Sequence, residues 1–423
     1  QAMRQMDYTP TDRLEEADLI ILNTCTVRDK AEQKAYSALG RWRELKEERK
    51  GLIIGIAGCV AQQEGGNLLR RVPHLDLVFG THNIHKLPKM VREARALAQR
   101  PLELAFYREP SYLEDLQGRP EVQGPKALVT IMQGCNKVCS FCIVPHVRGR
   151  EISRSSGRIF GEVKDLVGQG VKEVMLLGQN VNSFGRTSPG ELTFPQLLTR
   201  INDIERLERI RFTTSHPQDL SPELVEAYAR LEKLCEYLHL PVQSGSDTVL
   251  QRMRRGYNRR EYIDRIRRLR DVCPEVAVST DIIVGFPGET EEEFDDTLEM
   301  LTEIEYDDVF AFMYSPRPQT VAAKIYPDDV THEVKKRRLL QVLNLQSQVS
   351  FRINRRLIGT VEEIIVEEPS KLRAGQMMGR TRTNKVVNFV APRDLIGSTV
   401  QVRITGASSN SLIGELTEVR GTA

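Results

Sequence analysis

Cys135, Cys139 and Cys142 form a CxxxCxxC array in the stretch Gln133–Cys142. Three thiolates can hold three corners of a cubane [4Fe–4S] cluster, which ordinarily takes four cysteines, leaving the fourth iron open to another ligand. The same thiols could be most of a structural zinc site, but such sites want four ligands and paired CxxC spacing. Here Cys235 and Cys273 stand alone. Seven cysteines, an odd number, in a chain of 423 residues disfavour a disulfide framework. Iron–sulfur chemistry is the preferred reading of the spacing, with zinc or purely structural cysteines as alternatives.

A second pair of thiols lies upstream. Asp18–Asn23 and Leu52–Ala57 read as buried strands, each followed by a cysteine, Cys25 and Cys59, and then by a helical pattern. Leu75–Phe79 reads as a third strand. Alternating strands and helices imply a parallel α/β sheet, and ligands of such sheets bind outside the carboxyl ends of the strands. The two thiols should therefore converge on one site. The plain alternative is two small buried hydrophobes, since free cysteine is often buried. Two thiolates are too few for a cubane, so a third ligand is expected from elsewhere. The chain opens on Gln1 rather than Met, and the expectation is a truncated start that lacks the first strand and loop.

The array itself must be held by larger elements. After a proline-rich linker, six strand-and-helix units can be counted. Their strands are Ala127–Met132, Glu173–Leu177, Arg209–Thr213, Tyr237–Pro241, Val276–Val284 and Asp308–Met313. Six parallel units suggest a partial barrel, with its chemistry at the carboxyl ends of the strands. The cysteine array follows the first strand. Gly178 and Gln179 follow the second, His216 follows the third, and His239, Gln243 and Ser244 lie on or just after the fourth. Glycine lets backbone approach a ligand closely, and Gln179, Gln243 and Ser244 can bond the polar groups of a nucleoside or amino acid. His216 and His239 are read as satisfied structural histidines. Thr290 and Glu293 form a capping box for the helix after Pro287.

The fold class is therefore α/β. A doubly wound parallel α/β domain spans 1–100, a linker 101–125 and a partial (β/α)6 barrel 126–355. A small antiparallel β-barrel of oligonucleotide-binding type spans 356–423. In that tail, Thr360–Val366 and Lys385–Val390 read as strands, and Val400, Val402 and Ile404 alternate with Gln401 and Arg403. Hydrophobic content of 40% and charged content of 28% describe an ordinary globular protein. The net charge is only +2, so a nucleic-acid site must be a local patch. Arg148, Arg150 and Arg154 beside the array are read as substrate contacts, and Lys371, Arg373, Arg380, Arg382 and Lys385 as an RNA face. The Lys335–Arg338 run is read as a solvated helix face. No apolar run is long enough to cross a bilayer and no signal-peptide pattern stands at the start, so a cytoplasmic setting is expected.

Taken together, these blocks resemble the methylthiotransferase family of radical S-adenosylmethionine (SAM) enzymes. The resemblance covers essentially the whole chain. It rests on Asn23–Arg28, Gly58-Cys59, Gly134–Cys142, Leu177–Val181, His239–Asp247, Asp281–Thr290 and Tyr314–Pro318. Phe141, just before the last cysteine, fits the same pattern. Within the family, Cys142–Arg154 and Gly379–Phe389 most resemble the members that act on tRNA. The resemblance implies methylthiolation of carbon 2 of N6-isopentenyl-adenosine at tRNA position 37. Rival readings are threonylcarbamoyl-adenosine in tRNA, an aspartate of a ribosomal protein, or a non-catalytic RNA-binding protein on the same scaffold. It also implies that Cys135, Cys139 and Cys142 bind a SAM-cleaving [4Fe–4S] cluster. Phe141, Gly178, Gln179, Gln243 and Ser244 would lie around SAM. Cys25 and Cys59 would bind an auxiliary [4Fe–4S] cluster that supplies sulfur. One SAM would methylate a sulfur on that cluster, and a second would yield the radical that abstracts hydrogen from the adenine carbon, to which the methylthio group is transferred. The family's third auxiliary cysteine, in a Gly-Cys-Gln-Met-Asn motif, has no counterpart after Gln1. The tail would be a TRAM domain. Implied partners are a tRNA anticodon stem-loop, an electron donor such as flavodoxin or ferredoxin, and a sulfur or cluster delivery protein, with no membrane and a monomeric chain.

Overall fold

The computed structural model describes residues 3–26, 29–97, 99–109, 111–114, 122, 124–371 and 374–419, with backbone alone for 5, 29–31 and 114. Val27, Arg28 and Arg373 lie outside the described residues. The chain divides into two compact units. The first comprises Gln1–Pro120, Gln133–Lys137 and Cys142–Arg154, and the second Glu121–Met132, Val138–Phe141 and Ser155–Ala423.

The first unit is built on four parallel strands in the order β1 (Leu19–Thr24), β2 (Ile53–Gly58), β3 (Leu77–Phe79) and β4 (Leu102–Glu103). Helices α1 (Asp29–Glu48), α2 (Cys59–Glu64), α3 (Gly66–Arg71) and α4 (Leu87–Leu97) connect them, and a short α5 (Ser111–Glu114) follows. Alternate residues of β2 point to opposite faces, and both faces are covered. Ile54 and Ile56 pack with Leu39, Val60 and Leu68, whereas Ile53 and Ala57 pack with Leu87, Met90 and Val91. A strand buried on both sides needs apolar residues without interruption, which is why β2 reads as a continuous run. The expected linker contributes β4. The Pro101 carbonyl accepts from Val78 N, and Gly80 N donates to the Glu103 carbonyl. Proline does not prevent this, because the start of an edge strand needs no donor there.

The second unit carries six parallel strands. β5 (Lys126–Thr130), β8 (Glu173–Leu177) and β9 (Arg209–Phe212) form one sheet, and β10 (Tyr237–His239), β11 (Ala277–Val284) and β12 (Asp308–Met313) another. A single parallel bridge, Ile210 to Leu234, connects the series. The first expected strand is shorter than its apolar run: pairing with β8 ends at Thr130. Two-residue strands β6 (Met132–Gln133) and β7 (Ile152–Ser153) bracket the cysteine loop in sequence, with α6 (Val144–Arg148) between them. Helices α7 (Ser156–Gly168), α8 (Phe194–Asn202), α9 (Pro222–Arg230), α10 (Asp247–Arg252), α11 (Arg259–Val272), α12 (Glu291–Ile304), α13 (Val321–Ile325) and α14 (His332–Arg355) follow in order. The capping box forms as read: Glu293 N donates to Thr290 Oγ1 at 3.2 Å and Thr290 N to Glu293 Oε2 at 3.0 Å. The Lys335–Arg338 run is a solvated face only at Lys336 and Arg337. Lys335 and Arg338 are buried and pair with Asp328 at 2.5 Å and Glu289 at 2.8 Å. They face inward from α14, where a buried cation must find a carboxylate.

The tail closes into a barrel in the order β13 (Val361–Pro369), β14 (Gln376–Arg380), β15 (Val386–Val390), β17 (Leu412–Val419) and β16 (Thr399–Ala407). One neighbouring pair, β15 with β17, is parallel; the other pairs are antiparallel. The barrel docks on the foot of β8 and β9 through buried charge. Arg209 donates to the carbonyls of Arg380 and Glu363, and Arg211 to those of Arg382 and Thr381, at 2.7–2.8 Å. Glu173, 2% exposed, receives Arg211 at 3.1 Å and Lys126 at 3.2 Å. Burial is the largest influence on the Glu173 carboxyl and opposes its charge, but Arg211, Lys126 and Arg209 together hold it below the usual carboxylate range. A depressed folded-state pKa makes this cluster stabilising above that range, and its contribution is lost as the pH falls through it. Arg211→Met should cost about 3–5 kcal/mol, because removing one partner leaves the buried carboxylate uncompensated. Urea unfolding at neutral pH checks this, and a loss under about 1 kcal/mol, typical of exposed ion pairs, would contradict it. No helix among the described residues is long and apolar enough to cross a membrane.

Candidate metal centres

Each thiol of the array is supplied with an N–H donor. Lys137 N donates to Cys135 Sγ and Val144 N to Cys142 Sγ, both at 3.4 Å and both within the first unit. Arg255 Nη1 donates to Cys139 Sγ at 3.1 Å within the second. On the second-unit side the loop is clamped by backbone: Ser140 N donates to the Met253 carbonyl, Ser140 Oγ to the Arg252 carbonyl, and Ala322 N to the Ser140 carbonyl. Phe141 packs with Val249, Met253, Phe286 and Ala322, so its ring anchors the loop. On the first-unit side Cys135 N donates to the Gly149 carbonyl at 3.3 Å. A Cβ at Gly134, whose φ is +81°, would run into the Arg150 backbone.

Sulfurs that accept N–H bonds are dressed as thiolate ligands. Among the described residues, no group of three His, Cys, Asp or Glu side chains converges on a single metal ion.

Cys25 and Cys59 sit where the strand pattern placed them, at the carboxyl ends of neighbouring β1 and β2, and the structure brings them together. Thr24 joins their loops. Its hydroxyl donates to the Ala57 carbonyl at 2.5 Å and accepts from Val60 N at 3.3 Å. Gly58 has φ +88°, and a Cβ there would collide with the Thr24 carbonyl. Cys59 is buried against Ile143 and Val147 of α6, and Cys25 is exposed. The neighbouring Cys25 sulfur and burial push the Cys59 thiol up, while the Arg148 guanidinium opposes that rise. Two thiols facing one another beside a cation fit two corners of an iron–sulfur cluster.

Several expected contacts are placed differently. Arg148, read as a substrate contact, lies beside the Cys25–Cys59 pair, and its carbonyl bonds His82 Nε2 at 2.8 Å. Arg154 is buried and Arg150 is exposed. Gly178 is required by packing, since a Cβ would meet the Met132 side chain. Ser244 is fully buried and faces Thr297 of α12 and Ser246 N. Gln179 is half-buried. Gln243 is buried with φ +83°, and its backbone bonds Asp281 and Ile283 of β11. A non-glycine residue in that region is strained, and such strain collects at functional sites. His216 is bonded through backbone and ring to the loops around it: its N donates to Asn182 Oδ1, and its Nδ1 accepts from Gln218 N. His239 Nδ1 bonds Ser279 Oγ at 2.9 Å and Nε2 stands 3.6 Å from Asp281 Oδ2.

Two of the tail cations, Arg382 and Lys385, are docking groups. Arg382 pairs with Glu236 at 2.7 Å and reaches the carbonyls of Glu232 and Leu234, and Lys385 pairs with Asp307 at 2.6 Å. Both hold the barrel to the six-stranded region instead of presenting an RNA face. Arg380 is half-buried, donating to the Asn384 carbonyl at 3.1 Å, and Lys371 is exposed. Sequence reasoning missed Arg255. Its only signal was membership of an arginine-rich stretch.

Comparison with known proteins agrees with this geometry. Residues 129–301 match the Radical SAM superfamily, 1–80 match Uncharacterized protein family UPF0004 and 355–417 match the TRAM domain. The radical SAM methyltransferase TsrM of Kitasatospora setae shares the fold at a TM-score of 0.53 and 15% identity, over 76% of this chain and 66% of that one. The tRNA-2-methylthio-N(6)-dimethylallyladenosine synthase of Geobacter sulfurreducens is 50% identical over 100% of this chain and 94% of its own length. The protein of that name from Clostridium botulinum (strain Hall) is 45% identical over 98% and 92%, and that from Geotalea uraniireducens is 50% identical over 98% and 93%. With the cysteine array, the paired thiols and the closed tail barrel in one chain, this protein belongs to the tRNA-2-methylthio-N6-dimethylallyladenosine synthase family of radical SAM enzymes.

Proposed function

We infer that this chain is a tRNA methylthiotransferase that adds a methylthio group to carbon 2 of N6-isopentenyl-adenosine at position 37. The observation that carries this is the presence, in one chain, of two thiol sets. One is the N–H-dressed CxxxCxxC array, and the other is the Cys25–Cys59 pair at adjacent strand ends. Radical cleavage alone would need only the first. Cys135, Cys139 and Cys142 would hold the SAM-binding [4Fe–4S] cluster, and Cys25 and Cys59 two corners of the auxiliary one. When bound, the first supplies the electron that cleaves SAM to a 5′-deoxyadenosyl radical. A carbon–hydrogen bond on an aromatic ring offers no acid–base handle, so the protein's part is to position the base and exclude water. The reading also calls for an electron donor such as flavodoxin or ferredoxin, a sulfur delivery protein, a cytoplasmic setting and a monomer. The test is mass spectrometry of nucleosides from isopentenylated tRNA after anaerobic reaction with SAM and reductant. The methylthio product at position 37 supports the reading, and its absence with both clusters loaded refutes it.

The foot of the partial barrel offers a place for the N6 branch. Val129, Val174 and Val309 are buried in the main core, so Leu128, Met175 and Phe310, the neighbouring residues on their strands, face the opposite side. Leu128 is 68% and Phe310 39% exposed. With Met175 and Tyr237 they form the apolar part of a cavity of about 560 Å³ whose other walls carry Lys126, Glu173, Asp307, Arg380 and Lys385. Carbon 2 and the N6 branch leave the purine on either side of N1. Turning carbon 2 to the carboxyl ends lets the apolar branch reach this wall. Leu128→Gln should raise KM for isopentenylated tRNA roughly tenfold, because the apolar branch would cover an amide without a hydrogen-bond partner, with SAM cleavage intact. An unchanged KM would remove Leu128 from the subsite.

A further inference from the structure

We propose that Arg255 is a positioning residue that fixes the charge at the Cys139 corner of the array and so raises the reduction potential of the cluster held there. The proposal rests on the reading of Cys135, Cys139 and Cys142 as cluster ligands. Two of the three sulfurs take their N–H from neutral backbone two residues further on, at Lys137 and Val144. The third takes it from a guanidinium 116 residues away in sequence, 4% exposed. That arginine is held on every side. Nη2 donates to the Pro241 carbonyl at 2.7 Å and Nε to Tyr257 Oη at 2.7 Å, and the guanidinium lies 5.3 Å from the Tyr257 ring centroid. Tyr257 is pinned in turn, its hydroxyl donating to the Val242 carbonyl at 3.0 Å. The backbone is shaped for the purpose: Arg254 and Gly256, on either side, have φ of +57° and +69°. At Gly256 a Cβ would strike the Gln218 amide, which donates to the Gly256 carbonyl at 2.7 Å.

A buried cation is costly unless an anion compensates it. Among the described residues no carboxylate pairs with Arg255. Its partners are a carbonyl, a phenol, which is neutral at neutral pH, and the sulfur of Cys139. As a cluster ligand, the Cys139 sulfur would be the anion that this guanidinium meets. Hydrogen bonds and charge at cluster sulfurs set the potential, and groups behind first-sphere ligands tune metal sites. Adding an electron to the cluster adds negative charge beside a fixed positive one, so the reduced form gains and the potential rises. Arg255 would thus make the cluster easier to reduce.

The test is an EPR-monitored redox titration of the reconstituted full chain, following the signal component that SAM perturbs, with iron content measured alongside. Arg255→Gln keeps a donor without charge, Arg255→Lys keeps charge without the fork, and Arg255→Met keeps neither. Gln and Met should shift the oxidised-to-reduced ratio at a fixed potential by at least tenfold toward oxidised, which is ~59 mV for a one-electron couple. Lys should lie closer to the parent protein. Unchanged potentials in iron-loaded Gln and Met variants overturn the proposal. If the Met variant holds no iron, equal potentials for Lys and Gln overturn it. Loss of iron from both Gln and Lys overturns it too, in favour of a purely structural arginine. Failure of the cluster reading itself would be seen separately, as a parent protein without a SAM-perturbed signal.

Discussion

Cys139→Ala is expected to leave a folded chain that no longer forms 5′-deoxyadenosine from SAM. The array has three sulfurs, and the remaining cysteines of the second unit, Cys235 and Cys273, are buried and lie away from it in sequence. A cubane that normally uses four cysteines and here has three cannot give up another without losing its anchorage. The variant also removes the sulfur partner of Arg255, which stands at 4% exposure, so some loss of stability should accompany the loss of chemistry. A Cys139→Ser variant separates the two effects, because it restores a polar partner for the guanidinium but is a poor iron ligand. Iron should fall by about four per chain in both variants. Liquid chromatography of anaerobic reactions with dithionite and SAM reads the outcome. Undiminished 5′-deoxyadenosine in Cys139→Ala would take Cys139 out of the ligand set.

Much of this arrangement was legible before any coordinates, and the reason is local. Strand ends and the residues that follow them are contiguous in sequence, so β8 and β12 run as read over Glu173–Leu177 and Asp308–Met313. The placement of Cys25 and Cys59 after β1 and β2 followed from the same pattern. Features made by distant residues were not legible. Arg255 reaches Cys139 across 116 positions, and nothing in an arginine-rich stretch marks which side chain turns inward. Arg382 and Lys385 looked like an RNA face because a cation that meets phosphate and one that meets Glu236 or Asp307 are the same residue types. Lys335 and Arg338 looked solvated because their carboxylates, Asp328 and Glu289, lie outside the run of basic residues. The parallel pairing of β15 with β17 depends on how the tail barrel closes, which strand periodicity does not encode.

Replacing both Cys25 and Cys59 with alanine should separate the two halves of the reaction. The first-unit pair and the Cys139 side of the array receive their support from different residues. Thr24, Gly58 and Val60 shape the former, while Ser140, Met253 and Arg255 hold the latter. Losing the pair should therefore spare SAM cleavage, and 5′-deoxyadenosine should still form at a comparable rate. Methylthiolated tRNA should fall below detection, because the thiols that would hold the sulfur source are gone. The fold should survive. Cys25 is exposed, and Cys59 packs in a small cluster with Ile143 and Val147, so its truncation removes one sulfur from a site bordered by solvent-reaching groups. The expected cost is within the ~1 kcal/mol typical of point substitutions. The informative comparison is the ratio of methylthio-nucleoside to 5′-deoxyadenosine in one reaction. A ratio that collapses while 5′-deoxyadenosine persists assigns sulfur delivery to the Cys25–Cys59 pair. A ratio equal to that of the parent chain would show that sulfur reaches the base by a route that does not involve these thiols, leaving them as packing residues of α2 and the β1 loop.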